Sequence, residues 1–191
     1  MSADVTGKEL VDRAMNGNYE GIPYTRLDCQ GFVEQVLKDC GVRKKNGDPY
    51  NWKGSNSMYR NHIKWRGTIS ECKAKFGCIP LGAFVFVVKQ DGGEVERGYK
   101  DGLGNASHVG LYMGGTRCMD SQPHRGVGYC DLRTFGYVGL MNMVEYTTNA
   151  APETPNESAL LDAVRTIRSD TSTDSEWLSA AKLLCKYLGG K

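Results

Sequence analysis

The chain reads as an α+β protein on three observations. Helical periodicity marks residues 6–40, β-prone runs fill residues 82–146, and the two kinds of segment do not alternate. Segregated helices and strands lead to helices packed on a mostly antiparallel sheet. A second pair of amphipathic helices closes the chain and predicts a helical hairpin behind that domain.

Each element has a local reason. Thr6 and Glu9 form a capping box that opens a helix burying Leu10, Val11, Ala14 and Met15. Asp28 stands at an N-cap position, and Phe32, Val33, Val36, Leu37 and Cys40 then fall on one helical face. This helix runs to about Cys40 and stops at Gly41. Residues 43–57 are polar and turn-rich, with Tyr50 and Trp52 as aromatic interruptions. Ser55 is expected to cap a short helix presenting Met58, Tyr59, His62 and Ile63 on one face.

Gly82 to Val88 is a continuous β-prone run suited to a central strand. Gly92 to Asn105 is a glycine-rich, charged loop. Ser107 to Met113 reads as a buried strand ended by Gly114-Gly115. A third strand takes in Arg117 to Ser121, and a last one runs from about Tyr137 to Tyr146. After a linker carrying Pro152 and Pro155, one helix is striped by Leu160, Leu161, Val164 and Ile167. The other opens on a Thr173–Glu176 capping box and buries Trp177, Leu178, Ala181, Leu184, Cys185 and Leu188. The expected division is a domain over 1–146, a linker over 147–156 and a two-helix tail over 157–191. Such a tail must cover its apolar faces on itself, on the domain or on a partner.

Composition narrows the classes. A formal charge of +2 over 191 residues offers no bulk attraction to nucleic acid, and the Arg43-Lys44-Lys45 run reads as a solvated loop. The seven cysteines include no Cys-x-x-Cys pair, which argues against structural zinc and predicts reduced thiols, although Cys72 and Cys78 flank a short loop. No charged-then-apolar leader opens Met1-Ser2-Ala3-Asp4-Val5, and no apolar run approaches a membrane span. The expectation is synthesis in the cytoplasm.

The chemistry gathers at two places. Cys29 falls in the first turn of its helix, where unpaired N–H groups and the helix dipole favour an anion such as a thiolate. His108 stands near the start of a buried strand, and an imidazole facing a thiol is the minimum for covalent cysteine catalysis.

Together, Asp28-Cys29-Gln30-Gly31-Phe32 and Ser107-His108-Val109-Gly110-Leu111-Tyr112 resemble the NlpC-type family of papain-like cell-wall cysteine peptidases, over roughly residues 6–146. The resemblance implies a papain-like fold and cleavage of peptidoglycan stem peptides, between D-γ-glutamate and diaminopimelate or lysine. It implies Cys29 as nucleophile, His108 as general base, and an orienting residue about twelve positions later, which lands on Asp120 where many members have His. Gln122 and His124 stand as alternatives. Asp28 and Tyr24 are implied as substrate contacts, with Gln30 and Ser107 beside them, and the backbone N–H of Cys29 as oxyanion donor. The family's Tyr-x-Trp-Gly-Gly loop is absent, and Gln30 replaces a usual Ser. No cofactor or metal is implied. Asn51 to Ser55 and Asp91 to Glu94 resemble phage and prophage members, which implies action on the wall after lysis or from a phage particle. Trp52 or Tyr59 is expected to touch substrate or to pack. Residues 157–191 are expected to bind wall, to assemble or to stabilise. An N-acetylmuramoyl-L-alanine amidase and a non-catalytic tail protein are the rival readings.

Overall fold

The computed structural model describes residues 4–90, 99 and 101–148. The expected tail helices, the linker beyond residue 148 and the charged stretch at 91–98 lie outside the described residues. In chain order the elements are β1 (Val5–Thr6), α1 (Gly7–Asn16), α2 (Cys29–Asp39), α3 (Gly54–Arg60), β2 (Ile63–Thr68), α4 (Ile69–Phe76), β3 (Phe84–Lys89), β4 (Asn105–Gly114), β5 (Arg117–Gln122), β6 (Gly126–Asp131), a 3₁₀ turn (Leu132–Thr134), β7 (Tyr137–Met141) and β8 (Val144–Glu145). The α+β order expected from sequence is the observed one.

Six strands form one sheet in the order β2-β7-β3-β4-β5-β6, and every neighbouring pair in it is antiparallel. A short parallel pair, β1 with β8, joins the start of the domain to its end. The continuous apolar run of β3 lies inside this sheet, with Phe84, Val85 and Phe86 buried, because both its faces are covered. Helix α2 packs across β4 and β5, and its Phe32, Val33, Val36 and Leu37 are buried there.

Both N-terminal helices begin where their caps predict. Thr6 and Glu9 close a reciprocal capping box on α1. Helix α2 ends in a Schellman motif: Val42 N–H donates to the Leu37 carbonyl and Gly41 N–H to that of Lys38, with Gly41 at φ +80°.

Several expectations are corrected. Met15 is 56% exposed rather than buried, one position off the apolar stripe of α1. Ser55 does not cap α3; its hydroxyl donates to the Ala106 carbonyl and ties the helix to β4. His62 lies beyond that helix at φ +65°, and Ile63 begins β2. The strand β2, the helix α4 with its Thr68–Glu71 capping box, and the strand β6 go beyond the sequence reading. The last strand divides at the turn Asn142-Met143, whose second half pairs with β1 rather than the main sheet. Trp52 and Tyr59 are both buried; Trp52 stacks on Tyr50, and Tyr59 packs its ring 4.9 Å from Phe86.

Candidate active site

Cys29 opens α2 because Asp28 turns the backbone into the helix. The Asp28 carboxylate accepts from Gly31 N–H at 2.6 Å, satisfying one of the unpaired donors of the first turn. Cys29 is 7% exposed, at the seam between this helix and the sheet. Two contacts hold the chain before it in place. The buried Ser121 hydroxyl on β5 donates to the Leu27 carbonyl at 2.6 Å. Ile22 and Gly21 exchange backbone hydrogen bonds with Val127 of β6.

His108 comes from β4, which carries an irregularity beside it. Val87 pairs with His108 and Val88 with Ala106, so Ser107 is an extra, exposed residue. A bulge of this kind re-aims the side chain next to it. Across the sheet Gly110 pairs with Asp120, placing Asp120 diagonally opposite His108 on the same face. The imidazole Nε2 lies 2.6 Å from the Asp120 carboxylate. A carboxylate only accepts, so Nε2 carries the hydrogen and Nδ1 is the nitrogen left for the Cys29 thiol. The ring of Phe135 stacks on the imidazole with centroids 5.8 Å apart.

Asp120 is completely buried, and two side chains besides the histidine act on it. Gln122 donates to Oδ2 at 2.9 Å, and Arg125 forms an ion pair with Oδ1. Burial alone would raise the Asp120 carboxyl, but the hydrogen bonds from His108 and Gln122 and the charges of His108 and Arg125 hold it below the ordinary aspartate range. Burial likewise works against a charged His108, yet its bonds to Asp120 and Cys29 raise it to about 9. The imidazole therefore carries a proton at neutral pH.

Tyr24 reaches the same centre. Burial, then the charge and hydrogen bonding of Cys29, push its hydroxyl up to about 12. Gln30 faces the other way: its amide nitrogen donates to Glu34 at 2.7 Å and to the Trp52 carbonyl at 2.5 Å. Glu34 also accepts from Trp52 N–H, so the loop at residue 52 is moored beside the cysteine helix. His124 is exposed, and among the described residues the carboxylate that accepts from the imidazole is that of Asp120. The fold thus brings together Cys29, His108, Asp120 and Tyr24, with Asp28 at the helix cap. Gln122, Arg125 and Phe135 are members that sequence reasoning passed over as site residues or named only as an alternative. Gln122 carried a usable signal, two positions beyond Asp120 on one strand face, whereas Arg125 and Phe135 carried none.

Three buried or half-buried thiols elsewhere in the described residues, Cys72, Cys118 and Cys130, are not set up as nucleophiles. Burial raises Cys72 to about 11 and Cys118 to about 12, and burial followed by the neighbouring Asp120 carboxylate raises Cys130. Among the described residues, no cluster of His, Cys, Asp or Glu is placed to hold a metal ion.

No protein-family model and no curated protein sequence matches this chain. Solved structures do resemble it. The NlpC/p60 domain of the peptidoglycan hydrolase SagA is 19% identical, over 71% of this chain and 99% of that one, with a TM-score of 0.43. An NlpC/P60 family protein from Bacillus cereus ATCC 10987 is 20% identical, over 69% of this chain and 39% of that one, at 0.46. A lipoprotein-like NLP/P60 family protein from Staphylococcus aureus subsp. aureus Mu50 is 18% identical, over 71% and 41%, at 0.45. The likeness spans only about two-fifths of the length of the last two. All three carry the family name that the Asp28–Phe32 and Ser107–Tyr112 motifs resemble.

Proposed function

We propose that the chain is a cysteine-dependent peptidoglycan hydrolase that cuts a stem-peptide amide, the bond from D-γ-glutamate to a diamino acid. The observation that carries this reading is the His108 ring, held at 2.6 Å by Asp120 on one nitrogen and offered to Cys29 on the other. A protonated imidazole beside a thiolate is the resting pair that such chemistry needs.

In this mechanism the Cys29 sulfur bonds to the γ-carbonyl carbon, and the oxyanion meets the backbone N–H of Cys29. The C–N bond then breaks as His108 gives its proton to the leaving amine. Water next adds to the thioester, passing a proton back to His108, and the C–S bond breaks to release the acid. Asp120 keeps the imidazole in one tautomer and orientation throughout. Asp28 uses one oxygen to cap α2, and its other oxygen is the partner we assign to the free amine of the stem. Tyr24 and Ser107 complete the substrate contacts, whereas Gln30, expected beside them, is bonded to Glu34 and the Trp52 carbonyl instead. Residues 157–191 serve wall binding or assembly, and the protein meets its substrate after lysis or from a phage particle.

Purified wall treated with wild type and with Cys29→Ala, under reducing conditions, tests the reading by mass spectrometry of muropeptides. Loss of the diamino-acid fragment with wild type alone is the expected result. Release of whole stems from muramate would make the enzyme an amidase. No product from walls of several chemistries would remove the hydrolase assignment.

A further inference from the structure

Asp120 has more partners than an orienting carboxylate requires. Its Oδ2 already receives His108 and Gln122, while its Oδ1 is taken by Arg125. The guanidinium also donates through its other terminal nitrogen to the backbone carbonyls of Asp120 and Gly126, so one side chain grips both the carboxylate and its strand. Space for that grip is built into β6. Gly128 pairs with Asp120, and a Cβ at residue 128 would lie 2.7 Å from the guanidinium. The turn that presents Arg125 is equally constrained. Gly126 sits at φ +72°, where a Cβ would stand 2.2 Å from the Ile22 carbonyl oxygen, so the turn is pressed onto the chain leading to Tyr24 and Cys29.

We propose that Arg125 is a positioning residue of this centre: it holds the buried Asp120 carboxylate ionised and turned so that Oδ2 faces the His108 ring. This rests on the catalytic reading above but concerns a residue that reading does not use. The physical need is plain. A buried carboxylate without a cation takes up a proton in preference to staying charged. A protonated Asp120 would lose its hold on Nε2–H and release the imidazole. The titratable groups facing Asp120 are His108 on β4, Cys118 on its own strand, Cys130 on β6 and Arg125 in the turn. Cys29 and Tyr24 stand across the imidazole. Both strand thiols are held neutral by burial, which leaves His108 and Arg125 as the cations beside Asp120, and of the two only the guanidinium keeps its charge at every pH.

The test reads Cys29 directly and needs no wall substrate, so it stands even where the hydrolase reading fails. The pH dependence of iodoacetamide alkylation is followed at the Cys29 peptide by mass spectrometry, in the full chain. In wild type, alkylation has an acid limb at the pH where the coupled Cys29–His108–Asp120 centre takes up a proton. In Arg125→Gln that acid limb should move up by about one to two pH units. Arg125→Lys should restore most of the shift, because the charge returns without the forked grip. In an Asp120→Asn background, Arg125→Gln should have no further effect on the limb. An unshifted limb in Arg125→Gln overturns the proposal. A second reading uses wild type alone: the carboxyl ¹³C resonance of Asp120 should titrate below the ordinary aspartate value of about 3.9. A midpoint at or above that value also overturns it.

Discussion

His108 binds its proton more tightly in the folded protein than in the open chain, and the consequences can be measured. Burial opposes the charge, but Asp120 and Cys29 outweigh it and raise the group from 6.5 to about 9. A raised folded-state value stabilises fully below about pH 6.5 and is lost as pH rises through about 9. Thermal melting should therefore show Tm falling across that window, with a flatter profile in Asp120→Asn. In the proposed mechanism the same proton goes to the leaving amine, so kcat/KM should decline above about pH 9. A rate that holds through pH 10 would count against His108 as the acid. Asp120→Asn keeps the shape and removes the charge. It should lower kcat by roughly 10²- to 10⁴-fold with KM little changed, measured on a soluble muropeptide.

Strands β4 and β5 place the imidazole and the carboxylate through a residue with no side chain. A Cβ at Gly110 would come 2.9 Å from the Phe135 ring and 3.2 Å from the Asp120 Cβ. Either Phe135 leaves the imidazole face or Asp120 shifts along its strand. Gly110→Ala should accordingly cost about 1–3 kcal/mol in denaturant unfolding and lower kcat by at least about tenfold. Normal turnover in a destabilised Gly110→Ala would mean that the Phe135 stack is packing alone. The bulge at Ser107 works in the same way, since an extra residue on β4 changes where the next side chain points.

Across the molecule, Cys29 and His108 meet because α2 lies flat on the sheet. Phe32 is fully buried at that contact, three residues beyond Cys29, with its ring edge-on to Tyr19. Phe32→Ala should cost about 3–5 kcal/mol by urea denaturation, a large part of a domain's stability. If the loss were under about 1 kcal/mol, the helix would owe its place to something other than this packing. Removing residues 150–191 tests the role assigned to them. Pull-down with whole wall should weaken, while turnover of soluble muropeptides should stay within about twofold of wild type, a difference of about 0.4 kcal/mol in barrier.

The sequence by itself determined the helices bearing Thr6 and Asp28, the central apolar strand and the Cys29–His108 spacing, because caps, helical stripes and β-branched runs are local chemistry. Asp120 came from the family resemblance, which implies an orienting residue about twelve positions after the histidine, and strand alternation favoured it over Gln122 and His124. Short strands such as β2 and β6 escaped notice, because their glycines and charged residues read as turn and loop signals. Only the tertiary structure decided that Arg125 and Gln122 share the Asp120 carboxylate, that Phe135 covers the imidazole, and that Tyr24 lies against Cys29. Those contacts arise from strand register, a bulge and a turn pressed onto a distant segment, and none of these follows from residue spacing along the chain.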